Sequence, residues 1–180
     1  MMESDVDREV LKAAAPLAKA DLLTNMVGEF PELQGIVGGH YLRFEGASRD
    51  LWTAVRDHYQ PVGFDGALPE SEIGRLLGVA DRLDTVAGLF AVGERPSGSK
   101  DPFGLRRAAQ GAVKIAVQSS WPLDLKTAIA VATSGVTKFS EDDGGELTGA
   151  VTAFVADRVR RWLTDIVGVS GDTADAVMAV

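Results

Sequence analysis

The sequence predicts an all-α protein, and three observations support this fold class. Apolar residues recur at three- and four-residue spacing in most segments, no segment sustains the alternation of a half-buried strand, and no hairpin turn is flanked by β-branched runs. The chain has 180 residues, of which 46% are hydrophobic and 24% charged. This is enough to bury the core of one large domain with a smaller extension.

The hydrophobic pattern also fixes approximate bounds for each element. Pro16 has no N–H to donate, so it separates two short helices within residues 5–28. In chain order we then expect a helix over 33–42, a helix over 49–59, a loop over 61–69, a helix over 70–92, a loop over 93–102, helices over 103–118 and 123–136, an acidic loop over 140–145, a long helix over 147–167 and a final helical stretch.

The helix over 70–92 has the most regular pattern and begins with acidic residues near the positive end of its dipole. At about 100° per residue, Asp84 lies about 20° from Ile73 on the apolar face, where a buried carboxylate would need a partner. The predicted core stripe of this helix is Ile73, Leu76, Leu77, Ala80, Leu83, Ala87 and Phe90.

Composition excludes several kinds of site. Without cysteines there is neither a disulfide nor a thiolate metal site, and two histidines, His40 and His58, are too few for a histidine-rich metal centre. No apolar run approaches the roughly 20 residues that span a bilayer, and the acidic start is unlike a secretory signal, so we expect a cytoplasmic protein without membrane contact. The net charge of −8 repels nucleic acid unless the basic residues are clustered.

Gly93 to Lys100 has the glycine spacing of a nucleotide-binding loop but not its residue order. Such a loop places Lys directly after the second Gly and then Ser or Thr, whereas here Ser99 precedes Lys100 and Asp101 would repel a phosphate. The residues before the loop end a helix rather than a strand. We therefore interpret the segment as a connector between two helices.

This connector is expected to start the next helix and to carry a basic patch. Asp101 can accept N–H bonds around the helix start, and Pro102 suits the first turn. A solvated helix face with ion pairs explains the basic residues as well as RNA contact does. The candidate RNA-phosphate contacts are Lys100, Arg106, Arg107 and Lys114, of which the last two are seven residues apart on one helix face.

A second basic cluster lies near the C-terminal end of the predicted 147–167 helix. Arg158, Arg160 and Arg161 could contact phosphates, and Trp162 could offer a stacking ring. Cations are also favoured at helix C-termini for their interaction with the dipole. This structural interpretation is favoured over nucleic-acid contact.

Several separate motifs occur in order along the chain: Lys19-Ala-Asp-Leu22, Glu29-Phe-Pro-Glu-Leu-Gln-Gly35, Ala80-Asp-Arg-Leu-Asp-Thr85 and the run Gly98 to Ala109. In this register they resemble the β subunit of the bacterial two-subunit glycyl-tRNA synthetase. Phe154 to Leu163 and Asp175-Ala-Val177 are similar to the passage that leads into the family's anticodon-binding region. The resemblance spans nearly all of this chain, whereas the family's subunit is several times longer, so the chain looks like an internal module.

In that family the segment resembles an HD domain, an all-helical fold whose active members bind a metal through a His, a His-Asp doublet and a later Asp. Asp21 occupies the position of the doublet's Asp, and Asp81 that of the later Asp. Ala20 replaces the doublet's His, and no His precedes it. Residues 1–120 are therefore expected to form a catalytically degenerate HD-like domain without metal, and residues 121–180 a truncated helical segment.

The resemblance implies part of a glycine–tRNA ligase, which attaches glycine to tRNA(Gly) with ATP. ATP and magnesium would bind in the α subunit, and the β subunit would bind tRNA(Gly) and assemble with the α subunit as α2β2. The present module would catalyse nothing and hold no cofactor. Two alternatives stay open: a metal-dependent HD-type phosphohydrolase, and a structural spacer that touches no RNA.

Overall fold

A computed structural model describes residues 5–119, 122–140 and 144–179, with side chains from residue 8 onward. Within these ranges every regular element is helical and no strand is present, which confirms the all-α prediction. The α-helices are α1 (Asp5–Ala14), α2 (Asn25–Glu29), α3 (Ile36–Phe44), α4 (Arg49–Asp57), α5 (Glu72–Ala91), α6 (Leu105–Gln118), α7 (Leu125–Val136), α8 (Gly144–Arg161) and α9 (Gly171–Met178).

Short polar side chains set several of these helix starts. Ser48 Oγ accepts the Leu51 N–H at 3.3 Å at the start of α4, and Thr24 Oγ1 accepts the Val27 N–H at 3.4 Å at the start of α2. Each side chain satisfies a backbone donor that the first helical turn leaves unpaired. As expected, α1 ends before Pro16, and two 3₁₀ turns, Ala15–Leu17 and Ala20–Leu23, lead on to α2.

The chain divides into two compact units, and the first comprises Met1–Pro61 and Asp65–Asp81. Helices α3 and α4 approach closely at Gly39, where an added Cβ would lie 2.7 Å from the Trp52 carbonyl oxygen and 3.1 Å from Arg56 Cα. Glycine allows this approach because it has no side chain. The core of the unit consists of Ala14, Ala18, Ala54, Val55, Ile73 and Leu77.

The second unit comprises Val62–Phe64 and Arg82–Val180. Helix α8 packs against both α6 and α7, and the Phe90 and Phe154 rings lie 5.1 Å apart. Thr133 of α7 and Thr148 of α8 join their hydroxyls at 2.8 Å. Beyond α8 the chain continues as a wider, π-helical turn, Trp162–Val167. The largest fully buried apolar side chains of the unit are Leu105, Ile115, Ile129, Leu147, Val86, Val113, Val151 and Val155.

Helix α5 contributes residues to both units, and this corrects part of the predicted core stripe. Ile73 and Leu83 are buried as expected, but Ala80 and Asp84 are exposed. The prediction assumed one buried face along the whole helix. Residues up to Asp81 pack in the first unit and later residues in the second, so each half buries its own face. The environment of Asp84 is thus solvent, and its carboxylate needs no buried partner.

The compact units divide the chain within α5, whereas the sequence predicts a boundary near residue 120 between an HD-like domain and a following segment. The predicted domains and the HD-like character stay predictions. Residues 141–143 of the predicted acidic loop lie outside the described residues. Among the residues that are described, no helix is both long enough and apolar enough to cross a membrane.

Candidate nucleic-acid interface

The loop between α5 and α6 is closed by backbone hydrogen bonds. The Ser97 N–H donates to the Lys100 carbonyl at 3.1 Å, and the Lys100 N–H donates to the Ser97 carbonyl at 2.8 Å. Gly98, within this turn, has a φ of 51°, which favours glycine. The turn brings Lys100 to the start of α6 in a defined backbone conformation.

Asp101 fixes the loop to the first turn of α6. Its Oδ1 accepts the Leu105 N–H at 2.8 Å and its Oδ2 the Arg106 N–H at 3.0 Å. This confirms the expectation that Asp101 accepts N–H bonds at the helix start. The helix begins at Leu105, two residues later than predicted, because Gly104 adopts a left-handed conformation with a φ of 66°; Pro102 therefore precedes the first turn.

Arg106 reaches back from α6 across the loop. Its Nη2 donates to the Gly98 carbonyl at 2.7 Å and its Nη1 to the Lys100 carbonyl at 3.4 Å. The planar guanidinium carries five N–H donors, so donors remain for a further acceptor. Lys100 and Arg107 are exposed at the same end of the helix. We call Lys100, Arg106 and Arg107 the α6 basic cluster.

Lys114, the fourth predicted tRNA-binding residue, does not lie with this cluster. It is only 8% exposed, and its Nζ donates to the Phe64 carbonyl at 2.5 Å. Ideal helical geometry places residues seven apart on one face, but only Arg107 of this pair is exposed. Lys114 is buried because of tertiary packing: the short segment Val62–Phe64 belongs to the same unit, and the Phe64 carbonyl accepts the hydrogen bond from Lys114. Lys114 is thus unavailable as an exposed phosphate contact.

The second basic cluster forms ion pairs on and beside α8. Arg160 Nε lies 2.6 Å from Asp175 Oδ1, and Arg161 Nε lies 3.2 Å from Asp157 Oδ2. Hydrogen bonding to Asp175 is the main cause that raises the pKa of Arg160. The Trp162 ring is buried and meets the Phe64 ring edge-on at 5.2 Å. A buried ring offers no face to a base, which agrees with the favoured structural interpretation.

The two degenerate HD positions have protein partners. Asp21 is buried, and its Oδ2 accepts the Gly35 N–H at 2.6 Å. Asp81 Oδ1 lies 2.8 Å from the ammonium of Lys19. Among the side chains of residues 8–119, 122–140 and 144–179, no three His, Cys, Asp or Glu groups are placed together as metal ligands. These carboxylates do not fit a divalent metal, which prefers several oxygen or imidazole ligands.

Tyr59 and Lys19 belong to the surroundings of these carboxylates, although the sequence analysis did not name them as site residues. Burial is the main cause that raises the pKa of the Tyr59 hydroxyl; Asp81 and Asp21 raise it further, and Gln34 and Lys19 oppose the change. No local signal reveals this grouping, because Lys19 and Asp81 are far apart in sequence. His58 is buried, with its Nδ1 2.7 Å from the Val55 carbonyl oxygen, and His40 is exposed.

Comparison with known proteins places the chain in a family of aminoacyl-tRNA synthetase subunits. A family model described as glycyl-tRNA synthetase beta subunit matches residues 2–179. The chain belongs to the glycyl-tRNA synthetase beta subunit family, as the motifs indicated.

Three relatives carry the name glycine–tRNA ligase beta subunit. The protein of Acidithiobacillus ferrooxidans is 41% identical over 175 residues, which cover 97% of this chain and 25% of the relative. That of Methylobacillus flagellatus is 46% identical over 167 residues, 93% of this chain and 23% of the relative. That of Lacticaseibacillus casei is 41% identical over 185 residues, 98% of this chain and 27% of the relative. The chain thus spans only about a quarter of their length.

Proposed function

We propose that this chain is a non-catalytic, tRNA-contacting module of a glycine–tRNA ligase β subunit. The parent enzyme attaches glycine to tRNA(Gly) in the cytoplasm with its α subunit, which holds ATP and magnesium, in an α2β2 assembly. The family membership supports the parent activity. The observation that supports the module's own role is the α6 basic cluster, whose three cationic residues lie at the start of one helix.

The charge balance at this cluster supports a phosphate contact. The Asp101 carboxylate, the nearest acidic side chain in sequence, is already engaged by two backbone N–H groups. Arg106 is held by two loop carbonyls, so less side-chain entropy is lost when it binds an oxyanion. Lys100 and Arg107, both exposed, add positive charge beside it. Such contacts position a nucleic acid without reading its sequence.

The test is the affinity of the α2β2 enzyme for tRNA(Gly) when its β subunit carries Arg106→Ala/Arg107→Ala. Losing two phosphate contacts should lower the affinity and reduce the slope of log K against log salt by about 2. Glycine-dependent ATP–pyrophosphate exchange should stay unchanged, because glycine activation needs no tRNA contact.

The matched control is Lys12→Ala/Lys126→Ala, which removes the same charge at two exposed positions in different units. It should leave the salt slope unchanged. If the arginine variant has the affinity and slope of the control, the tRNA-contacting role is wrong. The module would then be the structural spacer that the net charge of −8 and the ion pairs of Arg160 and Arg161 favour.

A further inference from the structure

Phe103, in the loop before α6, is an aromatic residue that the protein leaves in contact with solvent. It is 54% exposed, whereas Phe90 of the same compact unit is 4% exposed. An exposed phenyl ring forgoes the favourable free energy that burial would give it. The exposure therefore needs an explanation from what surrounds the ring.

The backbone that carries Phe103 is a closed turn. The Gly104 N–H donates to the Asp101 carbonyl at 3.2 Å, and Pro102 follows Asp101, where its fixed φ suits such a turn. The Asp101 carboxylate joins this turn to the first residues of α6. Phe103 is thus presented from a fixed backbone, which lowers the entropy that a contact would cost.

Cations of the α6 basic cluster border this turn. The Arg106 guanidinium donates to the Lys100 carbonyl at 3.4 Å, three residues before Phe103. A Cβ added at Gly104 would lie 3.1 Å from Arg107 Nη2, so the second guanidinium lies against the residue that follows Phe103. Lys100 and Arg107 are exposed, as Phe103 is. An aromatic residue and three cations are therefore presented together at the start of α6.

The charge around Phe103 favours an anionic partner. Asp101 is the only carboxylate in the sequence from residue 95 to residue 123, and its two oxygens accept backbone N–H groups. An apolar protein surface placed on the ring would take water from the neighbouring cations without pairing them, which is costly. The cationic residues of this stretch are Arg95, Lys100, Arg106, Arg107 and Lys114.

A nucleotide matches both features, because its phosphate pairs with a cation and its base stacks on an aromatic ring. In a duplex the bases are stacked on one another, so a side-chain ring is offered mainly to unpaired bases. The N-terminus of α6 is not the site, since Asp101 already engages the Leu105 and Arg106 N–H groups. The side chains of the turn and of the first helical residues form the binding surface.

We propose that Phe103 stacks on an unpaired base of the RNA whose phosphates the α6 basic cluster contacts. This inference rests on the proposed tRNA contact and specifies its substrate class as a single-stranded stretch. Stacking tolerates every base, so the contact adds affinity without reading sequence. Its effect is separable from that of the phosphate contacts, because removing the ring removes no charge.

The test is the affinity of the α2β2 enzyme for tRNA(Gly) when its β subunit carries Phe103→Leu, which keeps an apolar side chain and removes the ring. Affinity should fall about fivefold, and the slope of log K against log salt should stay unchanged. Phe103→Trp should bind at least as tightly as wild type, because the indole offers a larger stacking surface. Since Phe103 is exposed, neither substitution opens a cavity in the core.

The matched control is Phe139→Leu, which removes another exposed aromatic ring from the same unit. Phe139 is 61% exposed, and the sequence after it contains the acidic run 141–143, which would repel a phosphate. This variant should keep the affinity of wild type. Equal affinities for Phe103→Leu and Phe139→Leu would overturn the proposal.

Three further results would also overturn the stacking role. If Phe103→Trp weakens binding as much as Phe103→Leu, the site requires the shape of phenylalanine and not a stacking ring. A reduced salt slope for Phe103→Leu would mean that the ring positions the cations. If Phe103→Leu impairs α2β2 assembly in size-exclusion chromatography while the assembled enzyme binds tRNA(Gly) normally, the ring packs against protein.

The arginine variants separate this inference from the proposed function. If Arg106→Ala/Arg107→Ala weakens binding while Phe103→Leu does not, the stacking inference alone fails. If neither substitution changes the affinity, the proposed function fails as well.

Discussion

The ammonium of Lys19 lies 2.8 Å from Asp81 Oδ1, so the carboxylate that the family resemblance equates with a metal ligand is paired with a protein cation. The Asp81 side chain is 17% exposed and that of Lys19 42% exposed. The pair is therefore less screened by solvent than an ordinary surface ion pair. It accounts for Asp81 without a metal.

Lys19→Met should destabilise the protein because it leaves the half-buried Asp81 carboxylate without this partner. The expected loss is about 1 kcal/mol of unfolding free energy, measured by urea unfolding near neutral pH. Lys12→Met is the control. Lys12 forms an ion pair with Glu9, and the two side chains are 66% and 70% exposed. A largely exposed pair of this kind contributes less to stability than a partly buried one. Equal losses of unfolding free energy for Lys19→Met and Lys12→Met would show that pairing with Lys19 does not stabilise the protein at Asp81.

Tyr59 should make stability depend on alkaline pH. Burial, the main cause, raises the pKa of its hydroxyl above the ordinary value of 10.0. When the folded-state pKa exceeds the unfolded value, the contribution is complete below the unfolded pKa and is lost as pH rises through the folded pKa. Wild type should therefore lose stability more steeply than Tyr59→Phe above about pH 10.

The measurement is urea unfolding at several pH values between about pH 8 and about pH 11, where tyrosines titrate. The difference in unfolding free energy between wild type and Tyr59→Phe should change with pH over this range. A constant difference at Tyr59 would contradict the role of burial.

Local signals in the sequence were sufficient for the fold class and for the role of Asp101 at the start of α6. Asp101 binds the backbone N–H groups of Leu105 and Arg106 as its type and position indicated. Contacts between residues far apart in the chain could not be predicted from the sequence. The acceptor of Lys114 is a carbonyl 50 residues earlier, and Asp84 is exposed because α5 buries different faces in the two units. Helical periodicity describes one element and does not say what covers it.

Gly39→Ala should be strongly destabilising because α3 and α4 are in backbone contact there. The new Cβ would lie 2.7 Å from the Trp52 carbonyl oxygen and 3.1 Å from Arg56 Cα, so the helices themselves would have to separate. Overpacking of this kind costs about 1–3 kcal/mol. Gly88→Ala, at a helical position of α5 with nothing within 4 Å of the added Cβ, should instead stabilise by about 0.5–1 kcal/mol. Thermal unfolding of both variants checks that the melting temperature falls for Gly39→Ala and rises for Gly88→Ala.

Asp101→Ala should weaken the connection between the loop and α6. The substitution leaves the Leu105 and Arg106 N–H groups without their side-chain acceptor and should cost about 1 kcal/mol of unfolding free energy. It should also speed hydrogen exchange at the Lys100 amide, because the turn closed by Ser97 and Lys100 loses its anchor. Asp84→Ala removes the same charge from an exposed position and controls for net charge.

Asp101→Asn separates the hydrogen bonds of Asp101 from its charge. Its amide oxygen still accepts one N–H, and Asn ranks with Asp as a helix-capping residue. If the two backbone bonds are what hold the loop, the asparagine variant should lose less stability than Asp101→Ala and show slower exchange at the Lys100 amide. If only the negative charge mattered, Asp101→Asn and Asp101→Ala would behave alike in both measurements. That result would remove the structural basis for a fixed Arg106, because the loop carbonyls that hold its guanidinium would no longer be set by Asp101.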